Sequence, residues 1–329
     1  MCGNALYLKG MIIDRFILFL FLSIVAAYFF PQLALHGDGN TLETISTVGV
    51  SFIFFFYGLK LSLTDIKNGL RNWRLHLVVQ CITFVLFPVM LLLLRPLVGR
   101  GIDENLWLSF FFLATLPSTV SSSVVMVSLA KGNVPAAIFN ASISGLIGVL
   151  ITPLWMSFFL VFRTENVFVD VYVGLFTEII LPVMLGLLLQ RYAGNWARKH
   201  SKALSTFDRL VILLIVYGSF AHSFVDGIFG EVGYKHLVFV AMGVVVLFIL
   251  VYWLTHLVSK LLGFSREDEI TALFCGSKKS LTHGSVFGKF LFVNNPYAGL
   301  YFLPIMLYHA FQILVISVIA NNMQKKTDL

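Results

Sequence analysis

The stretch Ile270–Val293 reads ITALFCGSKKSLTHGSVFGKFLFV, with two adjacent lysines, Lys278 and Lys279, in the middle of a run otherwise apolar enough to cross a bilayer. A crossing helix needs about 20 mainly apolar residues. A lysine at the bilayer centre costs roughly 2.5–3.5 kcal/mol even on lenient insertion scales, so such residues ordinarily mark function. A second run, Leu106–Ala130, is interrupted in the same way by LPSTVSSS at Leu116–Ser123. At about 1.5 Å of rise per residue, Pro117–Ser123 and Gly276–Thr282 both fall near the centre of their runs. Broken backbone at that depth is tolerable only inside protein or beside water, because lipid offers no hydrogen bonds. The bland alternatives are that one lysine snorkels to an interface, or that this stretch is a cytoplasmic loop.

The rest of the chain fits a bilayer. Of 329 residues, 58% are hydrophobic, 15% aromatic and only 12% charged, and the mean hydropathy is +0.90. A soluble domain is about 45–50% apolar and about 25% charged, so a water-soluble globule, a disordered chain and a coiled coil are all excluded. The three cysteines, Cys2, Cys81 and Cys275, are odd in number and far apart, and imply no disulfide framework. The net charge of +7 does not point to nucleic acid, because the basic residues sit in the gaps between apolar runs. The segment IVAAYFFPQL offers no signal-peptide cleavage site, so the first run reads as a span. Met11 is a second candidate start, which would make Met1–Gly10 an upstream extension.

Eight runs are uninterrupted: Ile12–Leu33 (span 1), Ile45–Leu61 (span 2), Leu75–Leu94 (span 3), Val134–Phe162 (span 5), Val167–Leu189 (span 6), Leu210–Val225 (span 7), His236–Leu262 (span 8) and Tyr297–Ala320 (span 10). With the interrupted runs as spans 4 and 9, the count is ten. If the N-terminus is inside, the inner segments hold Lys9, Arg15, Lys60, Lys67, Arg71, Arg74, Lys131, Arg191, Arg198, Lys199, Lys202, Arg209, Lys260, Arg266, Lys325 and Lys326. The outer segments hold Arg95, Arg100, Arg163 and Lys235. That is 16 against 4 of the 23, with Lys278, Lys279 and Lys289 inside span 9. This bias puts both termini in the cytoplasm.

Ten spans that start and end inside divide into two halves of opposite orientation, residues 1–164 and 165–329. Tyr57-Gly58 of span 2 matches Tyr217-Gly218 of span 7, and RLHLVV opening span 3 matches YKHLVF opening span 8. Such short matches also arise by chance between apolar strings. The position of the breaks weighs more: each lies in the fourth span of its half. Paired broken helices in inverted repeats are the usual sign of a secondary transporter with its site at the midplane.

Small residues recur at i+4 on both broken spans: Gly276, Ser280, Gly284 and Gly288 on one, Ala114, Ser118 and Ser122 on the other. Span 5 adds Ala137, Ala141 and Gly145. Such stripes let backbones approach closely, so spans 4 and 9 are expected to cross, with Pro117, Gly276 and Gly284 at the crossing and span 5 packed against it. Leucine at Gly276 or Gly284 should then disrupt the fold far more than leucine at Gly148.

The candidate site gathers around the breaks. As adjacent helical residues, Lys278 and Lys279 would point about 100° apart, so only one would face a given cavity. An ammonium there can hold an anionic solute, replace a bound cation or exchange a proton. The hydroxyls of Ser118, Thr119, Ser121, Ser122 and Ser123, with Ser277, Ser280 and Thr282 on the other break, can coordinate ions or bond back to free carbonyls. Glu178 is the one carboxylate well inside a run and can pair with a lysine or a cation. His309 and Gln312 share one face of span 10, and Asn140 is a lone amide in span 5; each fits an interhelical contact as readily as a ligand. No P-loop, HExxH or GxSxG is present, and the spaced arginines of a voltage sensor are missing. The sequence gives no support to an ATP-driven pump or an enzyme, and implies neither a bound metal nor a cofactor.

RNWRLHLVVQCITFVLFP, LPSTVSSSVVMVSLAKGNVPAA and DEITALFCGSKKSL resemble the bile acid:sodium symporter family, most closely its SBF-like branch, which includes the animal member numbered seventh. The resemblance covers nearly the whole chain, and CGSKKS and LAKGN are its most specific parts. It implies ten helices in two inverted repeats: a panel domain from spans 1, 2, 6 and 7, and a core from spans 3–5 and 8–10 in which spans 4 and 9 unwind and cross. It also implies where sodium ligands would stand. Ser123 matches, but the neighbouring asparagine falls on Val124, the span 5 hydroxyls on Ala137 and Ala141, and the span 9 glutamate and glutamine on Phe274 and Lys278. The span 3 glutamine falls on Thr83, with Gln80 one turn away. One kept ligand of that set does not carry sodium coupling with it.

The reading is therefore a secondary transporter of a small anionic organic solute in a bacterial inner membrane, with the lipid bilayer and that solute as partners. Sodium or a proton is the candidate coupling ion. The alternative is a non-transporting membrane regulator or scaffold. An open cavity beside Lys278 would favour the first, and a sealed crossing the second.

Overall fold

The computed structural model describes residues 5–8, 11–35, 40–61, 72–98, 104–119, 121–160, 172–227, 234–293 and 295–325. Within these, helix covers every apolar run. We label them α1 Arg15–Phe29, α2 Asn40–Lys60, α3 Trp73–Pro96, α4 Glu104–Thr115, α5 Ser121–Leu129, α6 Val134–Ser157, α7 Tyr172–Lys199, α8 Ser201–Val225, α9 Tyr234–Leu261, α10 Arg266–Gly276, α11 Leu281–Leu291 and α12 Ala298–Lys325. Six of them (α3, α6, α7, α8, α9 and α12) are individually long and apolar enough to cross a bilayer. The apolar parts of α1 and α2 are shorter, Phe16–Phe29 and Thr44–Lys60. Spans 4 and 9 are each two half-helices, α4/α5 and α10/α11, broken where the sequence places the interruptions.

Large apolar side chains face outward along these helices. Leu93 is 71% exposed and Leu188 70%, with Phe19, Leu22 and Val25 exposed on α1. A soluble surface does not carry such a continuous apolar band; a lipid-facing one does.

Two helices packed side by side set the first bundle: α2 lies along α7, and α8 packs on both α1 and α2. The α2–α7 contact is close because Gly58 and Gly186 face each other's helix. A Cβ on Gly58 would collide with the Val183 carbonyl oxygen, and one on Gly186 with that of Phe55. The second group joins α3, α6 and α10, with α9 against α10 and α12, and α4 against α12 and α6. The groups meet where α8 touches α11 and α12, where α6 touches the π turn of α7, and where Lys289 of α11 reaches Glu178 and Thr47.

Helix ends follow local chemistry. Ser265 caps α10 by accepting from the Asp268 amide at 3.2 Å, ahead of Glu267, Asp268 and Glu269 in the first turn, where carboxylates offset the helix dipole. Asn133 caps α6 by accepting from the Ala136 amide at 3.1 Å. Two π turns, Ile82–Leu86 and Phe176–Ile180, occur at the matching sequences ITFVLFP and FTEIILP, each ending one residue before the residue preceding proline. Pro88 and Pro182 have no N–H to offer the previous turn, so the ladder slips by one residue.

Two expectations are corrected. Span 1 does not begin at Ile12: Met11–Asp14 is a strand paired antiparallel with Ala5–Leu8, and the helix starts at Arg15 and stops before Pro31. Gly148 is not a tolerant position. A Cβ there would lie 2.9–3.1 Å from three atoms of the rigid Pro117 ring, whereas one on Gly276 meets a single Ile82 methyl at 3.2 Å. The i+4 stripe through Gly276 and Gly284 is split by the break, so its members face different partners: Ile82 for Gly276, Leu116 and Ile305 for Gly284, Phe302 for Gly288.

Candidate functional site

Breaking two helices inside the bundle frees carbonyl oxygens that need donors. Near the α4 break, the Thr115 carbonyl accepts from Thr152 Oγ1 at 2.7 Å, and the Pro117 carbonyl accepts from the Ser280 amide at 2.9 Å. That second bond joins the two breaks directly. At the α10 break, the Cys275 carbonyl accepts from Ser118 Oγ at 2.6 Å, and the Phe274 carbonyl from Ser123 Oγ at 3.2 Å. Tyr308 Oη donates to the Ser277 carbonyl at 2.6 Å. Gln312 uses both ends of its amide on Lys279, accepting from the backbone amide at 2.9 Å and donating to the carbonyl at 2.8 Å. The two breaks are therefore held against each other, with α6 packed beside them through Ser144 Oγ, which accepts from the Ser118 amide at 3.0 Å.

The lysines differ sharply. Lys279 Nζ donates to the carbonyls of Thr83, Ala114 and Leu116 at 2.8, 2.6 and 2.8 Å, and sits 4.0 Å from the centre of the Phe87 ring. All three of its protons are used. Lys278 Nζ bonds Ser122 Oγ at 3.0 Å, which employs one of its three donors among the described residues. Both side chains are wholly buried. Residues 277–280 are not helical, so the two lysines do not diverge as successive positions of a helix.

The remaining hydroxyls serve the fold around these groups. Thr119 Oγ1 is 2.9 Å from both Ser122 Oγ and Ser123 Oγ. Ser277 Oγ bonds back to the Leu273 carbonyl at 2.6 Å, and Ser280 caps α11 while its Oγ lies 2.9 Å from His283 Nδ1. Thr282 is half-buried in the first turn of α11; Ser121 opens α5, and its side chain lies outside the described residues. Thr83 contributes its carbonyl to Lys279 rather than its hydroxyl, which bonds Val79. His309 joins the Gln312 amide at 3.1 Å.

Three candidates stand elsewhere. Asn140 and Gln80 pair with each other between α6 and α3 at 3.2 Å. Glu178 is 3.7 Å from Lys289 Nζ, which also bonds Thr47.

Sequence reasoning missed the clamp at the other end of α10. Asp268 accepts from Asn72 Nδ2 at 2.7 Å and Asn133 Nδ2 at 2.8 Å, while the Asn133 amide donates to Thr271 Oγ1 at 3.0 Å. This ties the α5–α6 turn, where Lys131 has φ +58°, to the start of α10. It accounts for the LAKGN and DEIT sequences as parts of one joint. His283 was also missed: its Nε2 is buried, lacks a hydrogen-bond partner among the described residues, and faces Gly145.

A multi-pass helical protein whose two broken helices meet deep in the bundle, lined with hydroxyls and two lysines, has the build of a membrane transporter. The profile of the SBF-like CPA transporter family matches residues 14–325, and the chain belongs to that family. It is 37% identical to the uncharacterised protein PA2026 of Pseudomonas aeruginosa, covering 96% of this chain and 94% of that one. It is 35% identical to YfeH of Escherichia coli over 96% and 95% of the two chains. It is 32% identical to sodium/bile acid cotransporter 7-A of Xenopus laevis over 94% and 92%. The family is one of transporters, and the chain is not an enzyme.

Proposed function

We propose that the chain carries a small organic anion across a bacterial inner membrane by alternating access, with Lys278 as the anion's principal contact. One observation carries this: Lys278 is a wholly buried cation that spends one of its three donors among the described residues. A buried cation attracts a carboxylate, sulfate or phosphate and repels a sodium ion at contact distance. Ten crossings in two inverted halves, residues 1–164 and 165–329, complete the proposal. In it α1, α2, α7 and α8 form the panel against which the crossing moves, and the packing of α2 along α7 and of α8 on α1 and α2 supports this division. Sodium coupling is not part of it, because Phe274 and Lys278 stand where a carboxylate and an amide would be needed; a proton remains the candidate coupling ion.

The test is calorimetry of a panel of organic anions against the purified protein, followed by uptake into proteoliposomes. Binding is expected without sodium, and Lys278→Met should weaken it at least about tenfold, the value of one charge-assisted hydrogen bond. A steep sodium requirement, or unchanged affinity in Lys278→Met, would refute the assignment.

The regulator or scaffold reading has one observation in its favour: neither ammonium reaches solvent in this conformation. It predicts binding without uptake, or neither.

Orientation has its own check. Cysteines placed at Asn4 and Thr327 should label from the cytoplasm and those at Asp38 and Glu231 from outside, all four positions lying outside the described residues. External labelling at Thr327 would mean that a crossing has been miscounted.

A further inference from the structure

Three backbone carbonyls converge on one point, one from the π turn of α3 and two from the end of α4 and the break that follows it. Thr83 O lies in the π turn, where the next partner in the ladder would be Pro88, which has no N–H. Ala114 O lies in the last turn of α4, where Pro117 has no N–H and the Ser118 amide is spent on Ser144 Oγ, and Leu116 O lies just past the helix end. Their distances to Lys279 Nζ, 2.6–2.8 Å, and the Phe87 ring face at 4.0 Å describe a cage for a monovalent cation. Carbonyl oxygens replacing a hydration shell are the means by which membrane proteins hold such ions, and an aromatic face adds attraction for an ammonium. Only the charged form of lysine can donate to all three oxygens at once.

We propose that the Thr83, Ala114 and Leu116 carbonyls form a monovalent-cation site whose permanent occupant is the protein's own Lys279 ammonium. The charge is delivered on a tether from span 9 to spans 3 and 4. It bolts the three together through every conformation and is not exchanged during a cycle. This is independent of whether the chain transports, and it separates the two lysines: Lys279 is structural, so an anion at the crossing is left to its neighbour.

Chemical rescue tests it. Lys279→Ala deletes three carbons and the nitrogen, which n-propylammonium replaces. In full-length protein purified in detergent, with propylammonium present from extraction onward, Lys279→Ala should melt on the order of 10 °C below wild type once the amine is removed. Restoring propylammonium should recover several degrees, roughly the gain from saturating a site, while n-propanol at equal concentration and propylammonium added to Lys278→Ala should not. Wild type should melt alike in sodium, potassium and choline chloride. Lys279→Arg, which keeps the charge but cannot aim three N–H groups from one nitrogen, should be destabilised like alanine. A wild-type melt raised by sodium over choline, wild-type stability in Lys279→Arg, or equal effects of propylammonium and propanol on Lys279→Ala would each overturn the proposal.

Discussion

Gly58→Ala and Gly186→Ala should each destabilise the protein by on the order of 3 kcal/mol, at the upper end of what overpacking costs. In each case the added methyl would run into a backbone carbonyl of the facing helix, Val183 for one and Phe55 for the other. A side chain can turn aside, but a helix backbone can yield only by moving the whole helix. The α2–α7 pair would have to separate along its length, losing the close contact that drives association where lipid gives helices no hydrophobic reason to meet. Gly148→Ala should follow, because the Pro117 ring is rigid at 2.9–3.1 Å, and Gly276→Ala should be mildest, with one Ile82 methyl to shift at 3.2 Å. Melting of the four variants in detergent reads the order. If Gly276→Ala fell furthest, or all four melted alike, the close α2–α7 approach would be wrong.

That order could not be read from the sequence. Gly58 was visible only as half of a Tyr-Gly match, and Gly186 as one small residue in an apolar run. Which glycine meets backbone and which meets a methyl depends on how helices distant in sequence cross. The breaks were legible for the opposite reason: proline, clustered hydroxyls and paired lysines in an apolar run conflict with a plain helix wherever the rest of the chain goes. That the two breaks lie together followed from those conflicts together with the small residues. The partners from other helices did not.

On span 5 the sequence shows the small-residue stripe Ala137, Ala141, Gly145, but Ser144, Gly148 and Thr152 carry the contacts to the break. Ser144 meets the Ser118 amide, Gly148 packs on Pro117, and Thr152 meets the Thr115 carbonyl. The signal was present as three positions spaced by four, and hydroxyls on one face of an apolar helix could have exposed it. The different employment of Lys278 and Lys279 had no such signal. It depends on a π turn in span 3, set by Pro88, which places Thr83 O opposite Lys279.

Replacing Lys289 by methionine, or Glu178 by glutamine, should cost more than replacing both. The two charges are 3.7 Å apart with side chains 14% and 21% exposed, and Thr47 adds a bond to the ammonium. Lys289 stands on α11, beyond the crossing, while Glu178 and Thr47 stand on α7 and α2, so the pair joins the two helix groups. Removing one member of a fully buried pair costs about 3–5 kcal/mol because the other charge is stranded; with this exposure about 2 kcal/mol is the expected loss. Removing both charges strands neither, so the double variant Glu178→Gln/Lys289→Met should recover most of the stability lost by either single variant. The charge-swapped pair Glu178→Lys/Lys289→Glu should recover part of it. If the crossing moves against the panel, this ion pair must part in each cycle, and the double variant should alter the rate of uptake without altering the affinity set at Lys278. Melting of the single and double variants closes the thermodynamic cycle. Additive losses would show that the charges do not interact, and would remove the link between the two helix groups at this point.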